Sequence, residues 1–337
     1  MGWWVGIDEV GVGPNLGPLV VVATVWQTPA APDECHFWEA MSPVVTRDPP
    51  ARQAEERLWV GDSKHIFATA HGAWHLERAT LTAFSVTCGA VPATYEQLLA
   101  WCQPLPDDED TDGESIPTGS VAAEPWFTPR DLLLPQHTAQ AARLIPFTEK
   151  WQQVQQRTGM CLRHILVELV PPPLFNHRLE RWQNKALVIQ HAHQCVSRRA
   201  LRRCGFYQED AEQVGWLISD RLGGTQYYRR HMEQIITPRL WLEAREETPQ
   251  VSRYRSSGWE FIYQPRAESY LPVALASMIA KYIRECWMQL FNQFWQRLCP
   301  GLKPTQGYPV DARRFLREIE SRLVNLPVPR HLIWRER

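Results

Sequence analysis

The first apolar stretch of the chain, Trp3-Trp4-Val5-Gly6-Ile7, runs directly into two carboxylates, Asp8 and Glu9, and then a glycine, Gly11. That pattern predicts a short strand with charge at its end. Pro14, Gly17 and Pro18 are turn residues. Leu19 to Trp26 is nearly continuous and rich in β-branched residues, as a buried second strand would be. The two together predict a hairpin. Gly72 to Thr82 has helical character, and Phe84 to Val91 alternates loosely and predicts a strand. From Phe175 to Arg203, Leu179, Trp182, Ala186, Ile189, Val196 and Ala200 recur near helical spacing, which predicts one long amphipathic helix. Val214 to Ser219 is a strand ended by Asp220 and then glycines. A helical patch over Tyr227 to Ile235 and a strand over Trp259 to Tyr263 follow. Leu271 to Leu298 carries Leu275, Ile279, Tyr282, Cys286 and Leu290 on one helical stripe. Gly301 to Tyr308 is a loop, and Asp311 to Val324 a last helix. An antiparallel strand pair followed by alternating strands and helices predicts an α/β fold, a mixed sheet with helices packed on its faces.

Composition narrows this picture. The chain has 337 residues, 36 Lys and Arg against 37 Asp and Glu, and 44% hydrophobic residues, which excludes a largely disordered chain. A net charge of −1 excludes a simple polycation but leaves room for a local basic face. The acidic stretch Gln103 to Glu124 accounts for part of the negative charge and is expected to be a solvated insertion. Arg198, Arg199, Arg202, Arg203, Arg229, Arg230 and His231 cluster around Asp220. Lys281, Arg284 and Lys303 cluster near the later helix and loop. Either group could neutralise phosphates, and either could be ordinary helix surface. Arg330, Arg335 and Arg337 are expected to lie in a solvated tail over residues 326–337, with residues 1–325 forming one catalytic domain.

The eight cysteines include no C-x-x-C pair, which argues against a zinc knuckle and fits a reducing, cytoplasmic setting. Leu16 to Trp26 is too short to span a bilayer. Acidic Asp8 and Glu9 precede it, so no signal peptide and no membrane partner are expected. His191, His193 and Cys195 stand at i, i+2 and i+4 of a helical pattern and cannot all share one face, so they are read as helix surface and core. The Trp residues, 16 in all, fall largely on apolar stripes and are assigned to the core. Candidate chemistry therefore rests on carboxylates. Asp8 and Glu9 end one strand, Asp220 ends another, and Glu268 follows a third. Neighbours in a strand point to opposite faces, so Asp8 and Glu9 reach one site only if the strand bends near its glycines. Carboxylates converging on one sheet edge need a cation, and hard oxygen ligands favour Mg²⁺ or Mn²⁺. A polar turn would carry the same residues.

The segment GIDEVGVGPNLGPLVVVA, from Gly6 to Ala23, resembles the N-terminal signature of the type 2 ribonucleases H, ribonuclease HII and its sister HIII. Further blocks follow in the family's order. They are Asp62-Ser63-Lys64, Phe175-Asn176, Asn184-Lys185-Ala186, Asp220, the helix Val273 to Arg284, and Gly307-Tyr308. They cover discontinuous stretches from residue 3 to about 325. The resemblance implies a ribonuclease H-like mixed sheet with helices on both faces. It implies a two-metal endonuclease that uses Mg²⁺ or Mn²⁺ on an RNA–DNA hybrid or ribonucleotide-containing DNA. By position, Asp8, Glu9 and Asp220 match catalytic, metal-holding carboxylates, and Glu268 is the candidate for the fourth. Gly11 and Gly13 match backbone that recognises a ribose 2′-OH, and Lys64 a residue near the scissile strand. Ser277 and Lys281 match a position supporting the site and a phosphate contact. Tyr308 matches a Tyr that stacks on a sugar. Three positions depart from the pattern. Val12 stands where the family has Arg, Gln306 where a basic residue often precedes Gly-Tyr, and Glu268 where Asp is common, with its spacing to the next helix changed by about one residue. Those departures leave a second expectation open, a catalytically impaired nucleic-acid-binding relative.

Overall fold

A computed structural model describes residues 1–50, 56–102, 124–126, 132–208, 213–223, 225–236, 240–322 and 328–336. Its centre is a seven-stranded sheet. The strands are β1 (Gly2–Val10), β2 (Leu19–Thr28), β3 (Cys161–Val170), β4 (Val214–Ser219), β5 (Glu243–Glu247), β6 (Ser252–Ser256) and β7 (Trp259–Tyr263), in the order β3-β2-β1-β4-β7-β6-β5. β2 runs antiparallel to β1 and β3, while β4 lies parallel to β1 and β7 parallel to β4. The predicted hairpin, the strand before Asp220 and the strand over Trp259–Tyr263 are all present. The mixed α/β sheet with helices on both faces, expected for a ribonuclease H-like chain, is present too.

Strand alternation divides the core. Val5, Ile7, Leu19, Val21, Ala23 and Val25 face one side, where they meet Val188, Ala192, Val196 and Ala200 of α5 (Lys185–Arg203). Trp4, Val10, Val20, Val22 and Trp26 face the other, where they meet α6 (Leu271–Leu298), α2 (Gly72–Cys88) and, through Trp26 on Trp151, α3 (Ile145–Thr158). Each fully buried apolar side chain of this kind contributes roughly 1.5–3 kcal/mol. α6 comes close to the sheet because Gly6 has no side chain: a Cβ there would strike the Pro272 and Val273 backbone. Thr24 Oγ1 completes the contact by donating to the Pro272 carbonyl at 2.8 Å. This close approach sets Ser277 above the end of β1.

Several expectations are corrected. Phe84 to Val91 is no strand, because helix α2 continues to Cys88 and ends on Gly89 in the left-handed conformation. His75 to Ser85, the middle of α2, are all buried, so the helix lacks the clear polar face that marks a helix in sequence. The single helix over Phe175 to Arg203 is two, α4 (Pro172–Trp182) and α5. Gln183 turns left-handed at φ 49°, and the Asn184 side chain accepts from Ala186 N at 2.8 Å to cap α5. An Asn184→Ala variant is expected to lose about 1 kcal/mol of stability in urea unfolding. An unchanged midpoint would show that the cap is dispensable. The predicted last helix is α7 (Pro309–Arg322), and a further helical turn, α8 (Arg330–Ile333), follows it. Of the acidic stretch Gln103 to Glu124, residues 103–123 lie outside the described residues. Glu124 itself is buried rather than solvated, against Trp126 and Trp287. Arg335 is also buried, at 1% exposure, rather than solvated in a tail. Arg337 lies outside the described residues. Trp26, Trp126, Trp151, Trp259, Trp287 and Trp295 are fully buried, as the core assignment expects, whereas Trp241 is exposed.

Candidate active site

The candidate carboxylates lie along the C-terminal edge of the sheet, the edge where open parallel sheets place their ligands: Asp8 and Glu9 near the end of β1, Asp220 just after β4, and Glu268 on the turn that follows β7. Ile7 of β1 pairs with Ser219 of β4, which sets Asp8 and Asp220 side by side at the strand ends. Ser219 in turn pairs with Tyr263 of β7, and the chain returns through a 3₁₀ turn, Ala267–Ser269, carrying Glu268. Burial, above all, raises the Asp8 carboxyl well above the usual range, and the charges of Glu9 and Asp220 push it the same way. Asp220 is likewise raised, by burial first and then by the Glu268 and Glu9 charges. Asp8 thus stands in the field of Glu9 and Asp220, and Asp220 in that of Glu268 and Glu9.

Asp8 and Glu9 do not leave the pleat to converge. β1 continues to Val10, so the two point to opposite faces. Asp8 faces α6, where the Ser277 hydroxyl donates to it, and Ser277 Oγ lies 2.9 Å from Ser63 Oγ. Glu9 faces α5, where His193 Nε2 stands 3.0 Å from Glu9 Oε2. His193, read from sequence as ordinary helix, is the neighbour of Glu9 that the pattern missed. Its partner lies 184 residues away, and nothing local signals that contact. His191 turns instead toward Cys195 and Trp182.

The turn after β1 forms the second half of the site. Gly11 has φ 88°, and a side chain there would strike the Pro18 carbonyl. Gly13 lies open, and a Cβ on it would meet only the Tyr308 ring, at 3.8 Å. Tyr308, 45% exposed, therefore lies over the glycine turn, while the Gly307 carbonyl accepts from Asn15 N at 2.8 Å and Leu16 N at 3.2 Å. Asp62 caps a short helix, α1 (Ser63–Phe67), through Lys64 N and His65 N, leaving the Lys64 side chain exposed.

Two of the candidate cations already have partners within the fold. Lys281 is 7% exposed. Its ammonium is bound to Glu285 at 2.5 Å and lies 4.1 Å from the centre of the Phe67 ring, so as placed it is committed to the interior. Arg199 is held inside by Glu168 at 2.8 Å, which also binds Arg178 at 3.1 Å. His231 and Arg284 are buried as well. Lys64, Arg230 and Lys303 remain exposed. The donor set suits a hard divalent cation in kind, being carboxylate oxygen. Among the described residues, however, no three His, Cys, Asp or Glu side chains are gathered into a formed metal site. No helix among the described residues is long and apolar enough to cross a membrane.

Neither a protein-family model nor a curated protein sequence matches the chain. Solved structures similar to it include the ribonuclease HII of Archaeoglobus fulgidus, in a complex with PCNA. That similarity has 14% identity and a TM-score of 0.38, over 99% of this chain and 94% of that one. The ribonuclease H2 of Pyrococcus horikoshii OT3 is similar at 14% identity and a TM-score of 0.40, over 98% and 92% of the two chains. Bst-RNase HIII in complex with Mn²⁺ is similar at 16% identity and a TM-score of 0.36, over 95% of this chain and 65% of that one. These similar structures are type 2 ribonucleases H, the family whose motifs the sequence resembles.

Proposed function

We propose that this chain is a metal-dependent endonuclease that hydrolyses the RNA strand of RNA–DNA hybrids, or DNA beside an embedded ribonucleotide. The observation that carries this reading is the placement of Asp8 and Asp220 side by side at adjacent strand ends, with Glu9 and Glu268 near enough to act on them electrostatically, beside a glycine turn covered by an exposed tyrosine. Carboxylates in one another's field repel, and Mg²⁺ or Mn²⁺ held by these four would relieve that repulsion. When bound, two such ions supply water activation and stabilisation of the leaving oxygen in an in-line displacement.

The remaining tasks fall to the chain's own groups. Ser277, backed by Ser63, orients Asp8, and His193 orients Glu9. Gly11 and Gly13 let a nucleic-acid backbone approach closely, and the Tyr308 ring offers a face for a sugar. Lys64 and Lys303 are exposed and available to phosphates. Lys281 acts on phosphate only after release from Glu285. Residues 1–325 make the catalytic domain in this reading, with residues 328–336 built into it. The eight cysteines, none in a disulfide among the described residues, support a cytoplasmic setting.

Chelator-treated protein is expected to leave a fluorescent RNA–DNA hybrid intact and to cut it once Mn²⁺ or Mg²⁺ is restored. Hybrid binding without cleavage at any metal concentration would sink the enzymatic reading. It would identify a nucleic-acid-binding relative instead, the outcome that Val12 and the longer Glu268 side chain favour.

A further inference from the structure

The C-terminal segment is built into the glycine turn. Arg335 Nη2 donates to the Gly11 carbonyl at 2.6 Å and also to the Pro14 carbonyl, to which Nε donates at 3.1 Å. The backbones are stitched together as well. Arg335 N donates to the Asn15 carbonyl at 2.7 Å, Asn15 Nδ2 donates to the Arg335 carbonyl at 3.1 Å, and Leu16 bridges Trp334. Asn176 clamps the segment from outside. Its Nδ2 donates to the Trp334 carbonyl at 2.8 Å and the His331 carbonyl at 3.2 Å, and its Oδ1 accepts from Glu336 N at 2.9 Å. Phe175 lies under the Arg335 guanidinium at 4.6 Å. A second buried guanidinium, Arg284, donates to the Leu16 carbonyl at 3.2 Å and the Gln306 carbonyl at 3.0 Å. Arg284 Nε and Arg335 Nη1 are buried without a hydrogen-bond partner. Among the described residues, the one ion pair to either is with Glu285, 3.9 Å from Arg284. Two cations are thus enclosed beneath one turn, an expensive arrangement unless something is gained.

The gain is visible in peptide geometry. In a trans peptide the N–H points opposite to the C=O. Arg335 draws the Pro14 carbonyl inward, so Asn15 N–H points the other way, and it is indeed found on the Gly307 carbonyl. The same constraint on the Gly11 carbonyl turns Val12 N–H away from Arg335. We propose that Arg335 is a positioning residue, carried on a C-terminal strap, that fixes the Gly11–Val12 peptide so that its N–H, with positive charge beneath it, donates to a sugar hydroxyl oxygen of the substrate. This rests on the nuclease reading. It gives the Phe175-Asn176 pair a task as well, since both residues hold the strap. It also assigns the charge missing at Val12 to a side chain that enters from below.

The test is equilibrium binding by fluorescence anisotropy, without divalent metal, to two duplexes of one sequence. One duplex is all DNA and the other carries a single ribonucleotide. Wild type is expected to prefer the ribonucleotide duplex. Arg335→Met should lose that preference, by about tenfold, while its affinity for the all-DNA duplex stays within twofold. Asn176→Ala, which loosens the strap but leaves the guanidinium in place, should move the same ratio in the same direction. It carries the test if Arg335→Met fails to fold. A general packing role would lower both affinities and the melting temperature together, and that result overturns the proposal, as does an unchanged ratio in both variants. A wild type without preference overturns it too. Hybrid cleavage, measured separately, decides the nuclease reading by itself.

Discussion

An Asp8→Asn variant is expected to fold at least as stably as the parent chain and to lose on the order of a thousandfold in hybrid cleavage. The two effects have one cause. Asp8 is half-buried beside Ser277, and desolvation together with the charges of Glu9 and Asp220 already pushes its carboxyl well up. Asn keeps the shape and still accepts the Ser277 hydroxyl, while removing one like charge from the cluster. That relief is worth on the order of 1 kcal/mol in the absence of metal. The same deletion removes a carboxylate that would hold the cation. Mn²⁺ at a hundredfold excess over its dissociation constant would stabilise the parent by about 2.7 kcal/mol and the variant much less. Thermal melts with chelator and with Mn²⁺ read both signs without any turnover. Equal Mn²⁺ stabilisation in the two proteins, or undiminished cleavage by the variant, would remove Asp8 from the site.

Much of this site was legible because its determinants are local. Asp8 and Glu9 end an apolar run, Asp220 ends another, and the long helix that carries Ser277 announces itself by spacing from Leu271 to Leu298. Strand register then brings those ends together. What stayed hidden depends on contacts distant in sequence. Nothing near His193 reveals Glu9, and nothing near Arg335 reveals Gly11, 324 residues earlier. A terminal run rich in arginine reads as solvated until its partners are known. Gly72 to Thr82 reads correctly as helix, but the end of α2 reads like a strand because His75 to Ser85 are buried and leave no clear polar stripe. Lys281 sits in a motif that suggests phosphate, yet its four-carbon stem carries the ammonium to Glu285 and Phe67 instead.

Glu124 gives the second large effect, one that separates stability from catalysis. Its Oε2 accepts from the indole N–H of Trp126 at 3.2 Å and of Trp287 at 3.1 Å, while Oε1 is buried with no partner. Burial pushes this carboxyl up to about 8, against the two indole hydrogen bonds, which pull it down. A folded-state value above the unfolded one means that the native chain keeps a proton the unfolded chain releases. Stability from this group is therefore complete below the unfolded value near 4.5 and drains away as the pH rises toward 8. At 1.36 kcal/mol per pH unit, the loss by pH 7 is about 3 kcal/mol. Glu124→Gln mimics the protonated acid. Its amide oxygen can accept both indoles, and its NH₂ replaces the hydroxyl that Oε1 would carry. The variant is expected to match the parent in urea unfolding at pH 5 and to exceed it by a few kcal/mol at pH 8. The raised carboxyls of Asp8 and Asp220 contribute a loss of the same sign to both proteins, so the difference between the two curves isolates residue 124. Parallel stability curves across that range would mean that Glu124 ionises freely in the native state, and that the Trp126–Trp287 pocket admits water to it.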